Sequence, residues 1–211
     1  MDKGHESITT QSPILNGLVL AGGHSKRMGH DKGLINWHGK PQRYHLADLM
    51  NKFCNQVFIS CRPDQVKQIE GDGYKSLVDS ADATGQFGAI LSAFGVQPNN
   101  AWLVVACDLP FIDQLAIEQL LIARNPSKLA TAFASDDQGL PEPLAAIWEP
   151  RAADMLRQRN SEGIDCPRKA LILSHPDVQL IKAIIPDVIS NVNTPEEAKE
   201  AELKIESYNE R

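Results

Sequence analysis

The sequence predicts an α/β fold, a three-layer sandwich in which a mostly parallel central sheet lies between layers of helices. Short segments rich in valine, isoleucine and leucine alternate along the chain with amphipathic segments. Strands that alternate with helices pair in parallel through crossover helices. Two apolar segments, GLVLA (17–21) and WLVVA (102–106), have no polar position, which is typical of strands buried on both faces.

The individual elements follow from the same periodicity. Strands are expected at 17–21, 56–61, 102–106, 129–134, 144–148 and 178–185. Helices are expected at 41–53, 63–69, 87–96, 113–123, 151–158 and 195–205. Segment 135–142, SDDQGLPE, interrupts the alternation and is expected to form a hairpin or a lid. We expect a flexible N-terminal tail over 1–15 and a single domain over 16–211, because no repeat or low-complexity linker divides the chain.

Two helix starts carry local signals. Pro41 is expected in the first turn of helix 41–53, where proline costs least. In NVNTPEE (191–197), Thr194 is expected as N-cap, Pro195 as the first helical residue and Glu197 as the third. This pattern is a capping box, so folding alone accounts for much of the motif.

Composition excludes several classes of protein. The chain has 211 residues, of which 42% are hydrophobic and 23% charged, as in ordinary globular domains. Its formal net charge of −6 argues against a nucleic-acid partner. No apolar stretch is long enough for a membrane span. The start of the sequence lacks the build of a secretion signal, and the four cysteines show no CxxC spacing, so we expect a soluble cytoplasmic protein.

The segment LAGGHSKRMGHDKG (20–33) follows the first predicted strand and is rich in glycine and cations. It matches neither the P-loop nor the dinucleotide fingerprint. Gly22 and Gly23 still permit close approach of the backbone to a ligand, and successive N–H groups in such a turn bind anions. The carboxyl ends of parallel strands form the ligand crevice. The segment therefore predicts a site for a small anion; the alternative is a solvated basic loop.

A second signal follows the strand at 102–106, in ACDLP. Asp108 lies two residues beyond that strand, and a carboxylate there is a candidate Mg²⁺ ligand. The alternative is an aspartate that opens a turn before Pro110.

These motifs carry a family resemblance. LAGGHSKRMGHDK (20–32) resembles the LAGGxSxRMGxDK signature of the MobA-like nucleotidyltransferases, and further matches follow in order: VD (78–79) before GQFGAIL (85–91), CDLP (107–110) and NVNTPEE (191–197). The resemblance spans roughly residues 17–201. It implies a Rossmann-like sheet of the nucleotide-diphospho-sugar transferase type.

The resemblance is strongest to the branch that guanylylates the molybdenum cofactor. It implies transfer of GMP from GTP to the terminal phosphate of molybdopterin, with Mg²⁺ as cofactor and pyrophosphate as the other product. Molybdoenzyme-maturation proteins are the protein partners it implies. The attacking group is already an anionic phosphate, so this chemistry needs charge neutralisation and alignment more than a general base.

Roles for individual residues are implied in the same way. Backbone groups of Leu20, Ala21 and Gly22 would hold the guanine and ribose, with Gly22 and Gly23 permitting close approach. Arg27 and Lys32 would neutralise the triphosphate, with Lys32 nearest the α-phosphate. The remaining implied contacts are Mg²⁺ at Asp108, GTP at Asp79, and the metal or acceptor phosphate at Asn193 and, with less support, Asn191. Turn and loop chemistry is the alternative for Asp79 and both asparagines.

Four features bear on substrate choice. The family usually has GPLAG where this chain has GQFGA (85–89), which changes the loop shape. Ser60 replaces an asparagine that contacts the nucleotide in some relatives, and serine has a shorter reach. Gly22-Gly23 matches the LAGG of guanylyl enzymes rather than the LAAG of cytidylyl enzymes. Glu142 and the pair Arg168-Lys169 could face the acceptor; an edge strand and a solvated helix start are the alternatives.

Other interpretations stay open at this level. A cytidylyl- or sugar-phosphate nucleotidyltransferase, or a non-catalytic GTP-binding module, would use the same fold. Four of the six histidines (His24, His30, His38 and His45) fall within residues 24–45. They could form a transition-metal cluster, but cysteine or carboxylate support is missing from the pattern. Ser25 lacks the GxSxG elbow of a hydrolase.

Overall fold

The computed structural model describes residues 12–21, 31–79, 85–135, 139–185 and 187–209. Within these residues the chain forms a seven-stranded sheet, with strands β1 (Leu15–Leu20), β2 (Val57–Cys61), β3 (Lys75–Val78), β4 (Ala101–Ala106), β5 (Ala130–Ala134), β6 (Pro141–Trp148) and β7 (Val178–Lys182). The α-helices are α1 (Gln42–Met50), α2 (Val66–Gly71), α3 (Gly85–Val96), α4 (Gln114–Ala123), α5 (Ala152–Ser161), α6 (Pro167–Ile172) and α7 (Pro195–Asn209). Two 3₁₀ helices, η1 (Lys32–Leu34) and η2 (Pro63–Gln65), precede α1 and α2.

The sheet has the order β3-β2-β1-β4-β6-β5-β7. Strand β6 is antiparallel to both of its neighbours, and the other pairings are parallel. The predicted mostly parallel α/β sheet is confirmed.

The connections between strands explain where a ligand crevice must lie. The chain moves outward from β1 to β2 and β3 and then returns through α3 to β4, on the other side of β1. Because such crossovers are right-handed, α1 and α2 cover one face of the sheet and α3 covers the other. The reversal between β1 and β4 is a topological switch point, and ligands bind beyond the carboxyl ends of the strands there.

Burial follows the apolar patterns that predict the central strands. Every residue of β1 and β4 is buried, as the sequences GLVLA and WLVVA indicate. Trp102 of β4 lies opposite Trp148 of β6, and both side chains are fully buried. No helix within the described part of the chain is long and apolar enough to cross a membrane.

The edges of the fold differ from the prediction. Strand β3, KSLV, lies at the edge of the sheet, and because only Leu77 is buried its apolar signal is weak. Helix α6 has six residues, too few for a clear helical period. Neither element is predicted by the sequence. Segment 135–142 contains the β5–β6 connection and the first two residues of β6, and the two strands are antiparallel, so the hairpin alternative is confirmed. Residues 136–138 of this segment lie outside the described residues.

Element ends also shift by a few residues. Pro41 is the N-cap of α1 with extended backbone angles, so its expected position inside the first turn is wrong. Strand β7 ends at Lys182, three residues before the predicted end. Of the predicted tail, residues 1–11 lie outside the described residues, and β1 begins at Leu15.

Candidate active site

A cleft of about 400 Å³ lies beyond the carboxyl ends of β1, β2 and β4. The residue after β3, the first turn of α3, the 3₁₀ helix η1 and the segment before α7 complete its walls. Seven of the residues predicted from the sequence line this cleft: Leu20, Ala21, Lys32, Ser60, Asp79, Asp108 and Asn193. The topological switch point therefore brings together positions that lie far apart in the sequence.

The floor of the cleft is the end of β1. The Cys107 amide donates to the Leu20 carbonyl at 3.2 Å, and the Ala21 amide donates to the Ser60 carbonyl at 3.2 Å. Because the Ala21 N–H and the Leu20 carbonyl are both engaged in these sheet contacts, the backbone group of this pair that suits a ligand is the Ala21 carbonyl. That group would accept a hydrogen bond from a base or ribose.

Lys32, Asp108 and Asn193 meet at one end of the cleft. The Lys32 ammonium donates to Asn193 Oδ1 at 2.7 Å, and its Nζ lies 3.6 Å from Asp108 Oδ2. The side chains of Lys32 and Asp108 are 18% and 17% exposed, so the pair is partly shielded but reachable. A cation and a carboxylate side by side in a cleft suit a charged ligand with a bound metal.

Asp31 holds the turn that presents Lys32. As N-cap of η1 it accepts a hydrogen bond from the Gly33 amide at 2.9 Å. Its second oxygen accepts from Gln65 Nε2 at 2.6 Å, which ties η1 to the start of α2. The acid of the HDKG sequence is therefore structural here, and it positions the lysine that follows it.

The C-terminal segment presents Asn193. The Val192 amide donates to the Asp108 carbonyl at 2.8 Å, which links this segment directly to the end of β4. Val192 packs with Trp37 and two residues of α7 in a small apolar cluster, and the Trp37 indole donates to the Ala198 carbonyl. The position of Asn193 therefore depends on the packing of α7 against the segment after η1.

The predicted capping box of α7 is present. The Glu197 amide donates to Thr194 Oγ1 at 3.2 Å, and the Glu197 carboxylate accepts from the backbone amides of Thr194 and Asn193. The same contacts that start the helix also fix the backbone of the site residue Asn193.

Loss of this cap should destabilise the protein. Thr194→Ala is expected to lower the free energy of unfolding by about 1 kcal/mol, because one N-terminal amide of α7 loses its acceptor. Urea denaturation followed by circular dichroism measures the change. Ser207→Ala, near the other end of α7, is the matched control and should change stability much less. Equal effects of the two variants would contradict the capping role.

Ser60 and Asp79 form the opposite end of the cleft. The Ser60 hydroxyl donates to Asp79 Oδ1 at 2.8 Å. Within the described residues, Oδ2 of Asp79 has no hydrogen-bond partner. Ser60 is buried while Asp79 is half-buried, so a serine in place of asparagine holds the aspartate and leaves one carboxylate oxygen for a ligand.

Burial sets the protonation behaviour of both acids. It raises the pKa of Asp108 above the ordinary value, and the nearby Lys32 ammonium opposes this shift. Burial likewise raises the pKa of Asp79, and the hydrogen bond from Ser60 opposes that shift. A raised pKa means that the carboxylate charge is poorly solvated, so a cation or an N–H donor from a ligand would stabilise each anion.

The donor set fits a divalent cation that is shared with phosphates. Oδ1 of Asp108 is buried and has no hydrogen-bond partner in the described part of the chain. Mg²⁺ commonly binds through one or two carboxylates together with substrate phosphates rather than through an all-protein cage. This agrees with the finding that the described residues contain no group of three or more potential histidine, cysteine or acidic ligands.

The histidine cluster does not form a metal site within the described residues. His38 and His45 stack face to face, with ring centroids 3.9 Å apart and planes 14° from parallel. Nitrogen lone pairs lie in the ring planes, so two stacked imidazoles cannot both direct them at one ion. His38 Nε2 also lies 3.0 Å from the Pro110 carbonyl oxygen. His24 and His30 lie outside the described residues.

Glu142 and Arg168 are paired on the β6 side of the site. The Arg168 guanidinium donates to Glu142 Oε2 and to the Pro141 carbonyl. Glu142 is buried; burial raises the pKa of its carboxyl, and the hydrogen bond from the Leu144 amide and the charge of Arg168 oppose this shift. Lys169 is exposed. Of the basic pair, Arg168 is thus the residue that pairs with Glu142, and neither of these two residues lines the cleft.

Some residues that the motifs nominate are not part of the described cleft. Gly22, Gly23, Ser25 and Arg27 lie outside the described residues, and Asn191 is exposed and does not line the cleft. No motif in the sequence assigns a role to Gln86, which lines the cleft. The difference between GQFGA and the usual family motif GPLAG draws attention to this segment, but it does not indicate what the glutamine does.

Comparisons with known proteins agree with this geometry. The family model for the MobA-like NTP transferase domain matches residues 17–178. The molybdenum cofactor guanylyltransferase of Pseudomonas entomophila (strain L48) is 32% identical over 193 residues, which cover 90% of this chain and 98% of that protein.

Two further matches extend the comparison. The molybdenum cofactor biosynthesis bifunctional protein of Synechocystis sp. is 39% identical over 92% of this chain, and the chain spans about half (55%) of that protein's length. The crystal structure of molybdopterin-guanine dinucleotide biosynthesis protein A from Archaeoglobus fulgidus superposes with a TM-score of 0.74, covering 91% of this chain and 99% of that one at 23% identity. At that identity the likeness concerns the fold.

Fold, cleft and sequence matches together define the class of protein, a nucleotidyltransferase. The chain belongs to the MobA-like NTP transferase family.

Proposed function

We propose that this chain transfers GMP from GTP to the terminal phosphate of molybdopterin in the cytoplasm, releasing pyrophosphate, with Mg²⁺ as cofactor. The observation that carries the proposal is the meeting of Lys32, Asp108 and Asn193 at one end of the cleft that Ser60 and Asp79 close at the other. The names of the relatives from Pseudomonas entomophila and Synechocystis support the choice of substrates. Molybdoenzyme-maturation proteins are the partners proposed for the product.

The charges of the cleft give the nucleotide a direction. The Asp79 carboxylate would repel a triphosphate, whereas it can accept hydrogen bonds from the N1–H and 2-amino groups of guanine. Lys32 at the other end attracts the phosphates. The base therefore binds against β2 and β3, and the α-phosphate lies near β1 and β4.

The reaction is an in-line displacement at the α-phosphorus. An oxygen of the molybdopterin phosphate forms a bond to that phosphorus while the bond to the pyrophosphate oxygen breaks. Lys32 Nζ stabilises charge on the phosphoryl oxygens, and the fixed positions of Lys32 and Asn193 align the group. The nucleophile is already anionic, so the residues need not remove a proton from it.

Asp108, with Asn193 beside it, would hold the metal. When bound, Mg²⁺ would reduce repulsion between the reacting phosphates and stabilise the leaving pyrophosphate. Oδ1 of Asp108 is the oxygen that is available for this contact.

The acceptor enters from the β6 side. Arg168, with 43% of its side chain exposed, can bind an acceptor phosphate while the buried Glu142 fixes its orientation. Glu142 itself is an anion, and without Arg168 it would repel the acceptor.

A product assay tests the proposal. The chain is incubated with MgCl₂, molybdopterin and each of the four common NTPs, and pyrophosphate and dinucleotide are measured by coupled assay and mass spectrometry. Formation of molybdopterin guanine dinucleotide with GTP alone is expected. Preference for CTP, or for a sugar phosphate as acceptor, would replace the proposal with the corresponding enzyme. GTP binding without pyrophosphate release would indicate a binding module.

The role of Asp79 predicts an effect on nucleotide binding. Asp79→Asn is expected to raise the KM for GTP by about 10- to 100-fold, because asparagine has one acceptor oxygen where two donors must be met. The turnover number should change little, since the base contact is equal in the ground and transition states. Steady-state kinetics at varied GTP measures both. Ser60→Ala, which keeps the carboxylate, should have the smaller effect; an unchanged KM for Asp79→Asn would contradict the assignment.

A further inference from the structure

Gln86 offers a hydrogen-bonding group to the cleft that the proposed contacts do not use. It lies in the first turn of α3, is exposed, and lines the same cleft as Ser60 and Asp79. Within the described residues its side-chain amide has no hydrogen-bond partner. An amide that is both accessible and uncommitted in a binding cleft can serve a ligand.

The backbone that carries Gln86 is held by the core. Phe87 is fully buried, and Ala89, which also lines the cleft, is 2% exposed. Gly85 has a positive φ of 66°, a conformation that suits glycine and turns the chain into the helix. The glutamine is therefore presented from a packed helix, and its position is more precise than that of a loop side chain.

The chemistry of guanine requires a donor at this end of the cleft. Its N1–H and 2-amino groups are donors, which the Asp79 carboxylate can accept, but its 6-oxygen is an acceptor. The Ser60 hydroxyl hydrogen is directed at Asp79 Oδ1. Within the described lining at this end, the side-chain N–H donor left for the 6-oxygen is Nε2 of Gln86.

We propose that the Gln86 amide donates a hydrogen bond to the 6-oxygen of guanine and is a specificity-determining residue for GTP. The inference rests on the proposed function, because it requires the base to lie at the Asp79 end. Adenine has an amino group at position 6 and an acceptor at N1. It cannot satisfy Gln86 and Asp79 together, since turning the amide to accept from that amino group leaves the carboxylate facing N1.

Nucleotide analogues separate this contact from a structural role. The dissociation constants of GTP, inosine triphosphate and 2-aminopurine riboside triphosphate are measured by titration calorimetry on the full chain with MgCl₂. Inosine keeps the 6-oxygen and the N1–H and lacks the 2-amino group, while 2-aminopurine keeps the 2-amino group, lacks the 6-oxygen and has an acceptor at N1. Gln86→Ala is expected to weaken GTP and inosine triphosphate binding by about tenfold and to leave 2-aminopurine nucleotide binding unchanged.

Gln86→Glu sharpens the test because it replaces the donor with an acceptor. It is expected to weaken GTP binding by about 100-fold, more than the alanine variant. Gln68→Ala on the exposed face of α2 is the matched control and should bind all three nucleotides as the parent chain does. Equal weakening of all three nucleotides by Gln86→Ala, or no change with GTP, would overturn the proposal.

The two proposals fail in different ways. Binding alone decides the role of Gln86, whereas dinucleotide formation, measured in parallel on the unmodified chain, decides the proposed function. If the chain binds GTP through Gln86 but forms no dinucleotide, the proposed Gln86 contact is supported and the proposed transfer of GMP is contradicted.

Discussion

Asp108→Asn should lower turnover by about a thousandfold, which corresponds to about 4 kcal/mol in the activation free energy. The substitution keeps the shape of the side chain and removes the carboxylate charge. Asp108 Oδ2 lies 3.6 Å from Lys32 Nζ, and among the residues that the structure describes Asp108 Oδ1 has no hydrogen-bond partner. Pyrophosphate release at varied Mg²⁺ is the measurement, and the variant should also require more Mg²⁺ for half-maximal rate.

The stability of the same variant provides a control with a known sign. Because burial raises the pKa of Asp108, the folded state binds this proton at higher pH than the unfolded state does. The ionised carboxylate therefore costs stability at neutral pH, and the cost disappears as pH falls below the ordinary value of about 4 for aspartate. Asp108→Asn should unfold at equal or higher urea concentration at neutral pH, with a smaller difference in acid.

These two measurements separate a functional role from a structural one. Lost turnover with retained or increased stability is the expected pair of results. Near-normal turnover in Asp108→Asn would exclude Asp108 as the metal ligand.

Lys32→Ala should lower kcat by about a hundredfold or more, because the fixed ammonium that we propose contacts the transferred phosphoryl group is lost. The ammonium lies 2.7 Å from Asn193 Oδ1, so its removal also frees that oxygen and leaves the Asp108 charge uncompensated. GTP binding should weaken less than kcat falls, since charge on the phosphoryl oxygens changes most in the transition state.

Lys75→Ala is the matched control for this variant. Lys75 begins β3, is exposed, and donates to Gln56 rather than to a cleft residue. The Lys75→Ala substitution removes the same charge from the protein as Lys32→Ala does, and it should leave kcat unchanged. A similar loss in both variants would mean that general electrostatic attraction, and not the position of Lys32, accounts for the effect.

The sequence predicts the layers of the fold well because the central strands are buried on both faces. Every position of β1 and β4 is buried. Their sequences therefore show a nearly continuous apolar run, which can be recognised without knowing which strands lie beside them. At the edge of the sheet, β3 has one buried residue, so its sequence has little apolar pattern. This segment becomes a strand because its backbone pairs with β2. Edge strands are therefore hard to predict from sequence, because few of their residues are buried.

Individual site residues could be nominated from motifs, but the pairings between them could not. In the sequence Asp31 is one residue of a basic segment. In the structure its contacts with Gly33 and Gln65 fix the turn that positions Lys32. Gln86 belongs to a segment that departs from the family pattern, yet it lines the same cleft as Lys32 and Asp108. Both roles depend on which elements pack side by side.

The amino-acid sequence by itself determined the alternation of strands and helices, the glycine-rich segment after β1, the start of α7 and the family to which the chain belongs. Tertiary structure alone decided that Lys32 and Asn193, 161 positions apart, share a hydrogen bond beside Asp108. That meeting arises because α7 packs against Trp37 and the Val192 amide binds the Asp108 carbonyl. Local propensity carries no information about contacts at such separation, since their free energy comes from surfaces that exist only once the sheet has formed.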